Sequence, residues 1–120
     1  MSSLLFVFIG GGLGSLCRYG IGRMYDTSHY GTLTANIISC LILGFLIGMG
    51  THHILKSEHR LLLMTGFCGG FSTFSTFSGE LVQLYQGGQT MEVGLYLVGS
   101  IIAGVIAILV GMMLAKMVMN

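Results

Sequence analysis

Between Thr65 and Glu80 the sequence TGFCGGFSTFSTFSGE sets six hydroxyl side chains and four phenylalanines around a glycine pair, inside an apolar segment. Phe71, Phe74 and Phe77 recur at three-residue spacing, as do Ser72, Ser75 and Ser78, with Thr73 and Thr76 between them. On a helix this pattern presents neighbouring aromatic and hydroxyl stripes. Hydroxyl donors and the electropositive edges of aromatic rings suit a small anion. Hydroxyl lone pairs also bind cations, so this chemistry alone leaves the sign of the ion open. The bland alternative is aromatic packing, with each hydroxyl bonded back to a carbonyl four residues earlier. Glu80 is the only acidic residue embedded in a hydrophobic segment. It lies roughly 28 Å along an unbroken helix from Leu61, which suits a position near an interface better than a midplane proton carrier.

Other polar residues are spaced to join this stretch. Thr32 and Asn36 are four residues apart and share a helix face. Asn36 is either interhelical glue, contributing about 1 kcal/mol, or a pore-lining donor. Tyr96 and Ser100 repeat the four-residue spacing further on. Arg18 either snorkels to the headgroups or faces an aqueous vestibule where it attracts anions.

The elements that position these residues belong in a membrane. Of 120 residues, 53% are hydrophobic and only 8% charged, against about 25% charged in soluble domains; the mean hydropathy is +0.88. A crossing helix needs roughly 20 apolar residues, so the chain accommodates four spans, at about 4–21, 31–51, 61–85 and 91–118, in one domain covering 1–120. Each glycine costs about 1 kcal/mol relative to alanine in a helix, which makes Gly69-Gly70 the expected interruption of the third span. Unwound backbone at membrane depth is tolerated only where it is buried in protein or lines a cavity. Gly10 and Gly14, Gly11 and Ser15, Gly44 and Gly48, and Ser100 and Gly104 are pairs that let helices approach closely. The GGGLGS segment lacks the strand and βαβ context of a nucleotide fingerprint.

Several function classes are disfavoured. A net charge of +1 with no basic run leaves no footprint for nucleic acid. Cys17, Cys40 and Cys68 lack zinc-site spacing and read as small apolar residues, and the histidines of HHILKSEHR read as a solvated loop. No general base is placed near a nucleophile, which argues against an enzyme. The N-terminus has no basic region or cleavage site and reads as a retained span. Loop charges give almost no orientation signal: Lys56, Arg60 and Lys116 stand against Arg18 and Arg23. Insertion in both orientations, with an antiparallel homodimer of eight helices, follows as an expectation. A proton-coupled transporter of the small multidrug type would need an acid in the first span, which has none. A non-transporting assembly subunit would leave the hydroxyl stripe unexplained.

Taken together, GFCGGFSTFSTFSGE, GTLTANIISCLILGFLIG and GGGLGSLCRY resemble the Fluc/CrcB family of fluoride channels, over essentially the whole chain. The resemblance implies an all-α integral membrane protein of four helices, assembled as a dual-topology antiparallel homodimer in the cell's inner (plasma) membrane. It implies passive fluoride efflux that relieves toxicity. A structural Na⁺ at the dimer axis is implied to be held by backbone carbonyls of Gly69 and Ser72. The implied fluoride pathway comprises Asn36, Thr32, Phe74, Phe77, Ser75 and Thr76, with Tyr96 and Ser100 from the fourth helix and Arg18 and Glu80 at the vestibule. Phe71, where a smaller aliphatic residue is common, and Gly104, where a second serine is expected, depart from the family pattern.

Overall fold

In the computed structural model residues 2–51 and 55–119 are described, and every regular element among them is helical. Helix α1 spans Ser2–Gly22 and α2 spans Ser28–Thr51. The third rod is composite: α3 (Ser57–Arg60), a π-helical stretch (Leu61–Cys68) and α4 (Gly69–Phe71) run on without a gap, and α5 (Ser75–Gln86) follows a break. Helix α6 spans Thr90–Met119. Gly88 adopts φ 78° in the α5–α6 turn, a left-handed conformation glycine accepts without a Cβ clash. His52 and His53 of the expected polar loop lie outside the described residues.

Three helices, Ser2–Gly22, Ser28–Gly50 and Thr90–Met119, are long and apolar enough to cross a membrane. The third rod does not qualify as one long helix because residues 72–74 interrupt it.

Glycines set the seams. A Cβ on Gly10 or Gly14 of α1 would run into the Leu62 or Phe67 carbonyl, and one on Gly70 into the Gly11 carbonyl. On the other side, a Cβ on Gly44 would meet the Ile108 carbonyl, one on Gly111 the Leu41 carbonyl, and one on Gly48 would sit 2.6 Å from the Ala115 Cβ. The expected close-packing pairs Gly10/Gly14 and Gly44/Gly48 therefore do bring backbones together. Their order along the chain shows that α1 runs parallel to the third rod, and α2 parallel to α6. The Ser100/Gly104 pair behaves differently: a Cβ on Gly104 would lie 3.4 Å from the Cys40 Sγ, a looser approach that leaves room for a cavity.

Candidate functional site

The site grows from the break in the third rod. Its expected position was Gly69-Gly70, but both glycines are helical: Gly69 has φ −63° and ψ −36°, and Gly70 lies within α4. The chain leaves the helix at Ser72, with φ −83° and ψ 159°. Side-chain competition accounts for the difference. Asn36 of α2 offers Thr73 a peptide-like partner: the Thr73 N–H donates to Oδ1 at 2.8 Å, and Nδ2 donates to the Thr73 carbonyl at 3.3 Å. The Ser72 hydroxyl bonds back to the Cys68 carbonyl at 3.0 Å, and the Ser39 hydroxyl donates to the same carbonyl at 3.0 Å. Hydroxyls and amides that satisfy backbone groups in this way compete with the helix ladder. Gly70, meanwhile, is needed for its contact with α1.

Two in-helix bonds are diverted at the break. In a continuous helix Thr73 would donate to Gly69 and Thr76 to Ser72. Thr73 donates instead to Asn36, and the Thr76 N–H donates to the Thr73 Oγ1 at 3.2 Å. The Gly69 and Ser72 carbonyls thereby lose their regular partners. The Gly70 carbonyl accepts from Arg18 Nε at 3.1 Å, so Arg18 is pinned to the end of α4 rather than snorkelling outward. A cation at a helix C-terminus is electrostatically favourable.

One turn into α5, Phe77 is buried while Phe74 is 79% exposed, with ring centroids 6.2 Å apart. Phe77 meets Tyr96 edge to face at 4.9 Å. Glu80 is buried and accepts two hydroxyl protons, from Thr32 to Oε2 at 2.9 Å and from Tyr96 to Oε1 at 2.8 Å. A carboxylate taken out of water needs such donors. Thus α2, α5 and α6 are tied together at one carboxyl group.

Two cavities flank the break. One, of about 420 Å³, is lined by Asn36, Thr73, Phe74, Phe77, Ser100 and Gly104 among others. The Ser100 Oγ is buried there without a hydrogen-bond partner. The other, of about 350 Å³, is lined by Arg18, Arg23, Thr32, Thr73, Thr76 and Glu80 among others. Thr73 lines both. Of the expected site residues, Asn36, Phe74, Phe77 and Ser100 share the first cavity, and Arg18, Thr32, Thr76 and Glu80 share the second. Tyr96 bridges toward both through Phe77 and Glu80. Ser75 is exposed and lines neither.

Sequence reasoning passed over Ser39, three residues beyond Asn36 and so on nearly the same face of α2. It also passed over the backbone of Thr73 as a partner for Asn36, and over His29, whose ring lies 5.2 Å from that of Tyr96.

Residues 5–112 match the family described as CrcB-like protein, Camphor Resistance (CrcB). The chain is 36% identical to a protein of Phocaeicola vulgatus, over 97% of this chain and 100% of that one. It is 41% identical to one of Chlorobium phaeobacteroides, over 97% and 94% respectively. A third, from Pectobacterium atrosepticum, is 43% identical over 79% of each chain. All three relatives are named "Fluoride-specific ion channel FluC".

Proposed function

This chain belongs to the CrcB family, and we propose that it is a fluoride-selective channel through which fluoride leaves the cell passively, lowering its toxicity. The observation that carries this reading is the pair of cavities sharing Thr73, one lined by the Asn36 amide, the Phe74 and Phe77 rings and the Ser100 hydroxyl, the other by the Thr32 and Thr76 hydroxyls with Arg18 and Arg23. Fluoride is small and holds its water tightly, so a pathway must replace that water with several close donors. Hydrogen bonds to an ion are roughly twice as strong as neutral ones. The buried, unpartnered Ser100 hydroxyl is such a donor in waiting. In this reading Phe74 and Phe77 turn ring edges toward the ion. Ser75 and Thr76, exposed on one copy of the chain, extend the hydroxyl track where the channel assembles.

The channel is multi-pass, and in this proposal the third rod also crosses the membrane, in two pieces, which brings the spans to four. Two copies pair as an antiparallel, dual-topology homodimer in the inner (plasma) membrane. The exposed Phe74, Ile101 and Val105 support this, since apolar side chains border the first cavity and a second copy would close it. The weak loop-charge bias supports insertion both ways.

A structural Na⁺ fits the break. The Gly69 and Ser72 carbonyls, released from the helix ladder when the Thr73 and Thr76 amides turn to side chains, are the hard oxygen ligands such an ion takes. When bound, the cation supplies positive charge at the break and joins the two copies there. This chain's residues hold the break open for it: Asn36 pins Thr73, and Ser39 with Ser72 occupies the Cys68 carbonyl.

The multidrug-transporter alternative gains nothing from the structure. Helix α1 carries no acid, and Glu80 is engaged by two hydroxyls. Purified protein in liposomes should release fluoride much faster than chloride, and more slowly when Na⁺ is replaced by a large organic cation. Equal fluoride and chloride rates would overturn the reading.

A further inference from the structure

We propose that His29 is a positioning residue of the permeation pathway, holding the start of α6 against the start of α2 so that the Tyr96 hydroxyl reaches Glu80. The proposal rests on the channel reading. His29 lies in the first turn of α2, with its side chain 14% exposed and Nε2 4.0 Å from Glu92 Oε2. Its ring is 4.4 Å from Tyr30 and 5.2 Å from Tyr96. Glu92 and Tyr96 are four residues apart and share one face of α6, so a single imidazole covers both.

The same two helices supply both donors to Glu80. Thr32 lies three residues beyond His29 on α2, and Tyr96 four beyond Glu92 on α6. If the helix ends separate, Tyr96 withdraws and Glu80 loses a donor. The carboxylate then faces the cavity it shares with Arg18, Arg23 and Thr32, where its charge opposes an anion.

The His29 ring sits between the starts of α2 and α6. The groups facing it are Glu92 and Tyr96 from α6 and Tyr30 from its own helix. Glu80 of α5 stands behind Tyr96, and Arg18 and Arg23 of the α1 end line the adjoining cavity, where Ser28 also sits. Glu92 is thus the carboxylate in reach of the ring.

The test is fluoride efflux from liposomes of the whole protein, after subtracting the leak of protein-free vesicles. His29→Ala should slow efflux severalfold. His29→Phe, which restores a ring against Tyr96, should recover most of that loss. Glu92→Gln should slow efflux less than His29→Ala does, and adding it to His29→Ala should slow efflux no further. Native rates in His29→Ala, no recovery in His29→Phe, or additive losses in the double variant would overturn the proposal. A native protein that releases no fluoride would overturn the channel reading itself.

Discussion

The Asn36 carboxamide pairs with the backbone of Thr73 as one peptide pairs with another, accepting from its N–H at 2.8 Å and donating to its carbonyl at 3.3 Å. A single side chain of α2 thus supplies the hydrogen bonding that the interrupted helix no longer provides. It also stands on the wall of the first cavity.

Asn36→Asp keeps the acceptor for the Thr73 N–H but removes the Nδ2 donor and adds a negative charge. Fluoride efflux should fall by at least about tenfold, the scale of one lost buried hydrogen bond. Native efflux in liposomes would show that the amide is dispensable.

Thr32 and Tyr96 bind the same carboxyl group, so their removal should not be additive. Thr32→Val and Tyr96→Phe should each slow efflux several-fold. The double variant should be slower than either but clearly faster than the product of the two effects predicts. Efflux rates from the four proteins, compared as a cycle, decide it.

Phe74 and Phe77 should separate stability from transport. Phe77 is 7% exposed within one copy and Phe74 79%, so Phe77→Ala should lower the melting temperature of the folded chain in detergent, whereas Phe74→Ala should act through the contact between the paired copies. Both should reduce fluoride efflux. A Phe74→Ala protein with unimpaired efflux would remove that ring from the pathway.

Helix seams give a contrast within one residue type. Gly44→Ala places a methyl on the Ile108 carbonyl and should lower the melting temperature markedly, whereas Gly12→Ala meets nothing within 4 Å and should not. Thermal unfolding followed by size-exclusion chromatography in detergent reads both.

Much of this site was legible from residue types. The helices at Ser2–Gly22, Ser28–Thr51 and Thr90–Met119 follow the apolar runs, and Thr32, Asn36 and Glu80 stood out as polar groups among them. The place of the break was not legible. Glycine propensity pointed to Gly69-Gly70, but those residues stay helical, and Gly70 is held against Gly11. The helix ends where Asn36 of a different element takes the Thr73 amide, a partner 37 positions away in the chain. The π-helical widening at Leu61–Cys68 had no signal in hydrophobic spacing. The convergence of Thr32 and Tyr96 on Glu80 needed the two helix starts to be adjacent, which spacing within either helix does not reveal.

The pairing of Asn36 with Thr73 also acts as a phase lock. Helix α5 starts two residues after Thr73, and each residue turns a helix by about 100°. One residue inserted between Thr73 and Ser75 would rotate all of α5 by that angle, carrying Phe77 and Glu80 off the Tyr96 side while leaving composition and helix length intact. The stretch from Thr73 to Ser75 should therefore be intolerant of insertions or deletions even where its individual side chains can be exchanged.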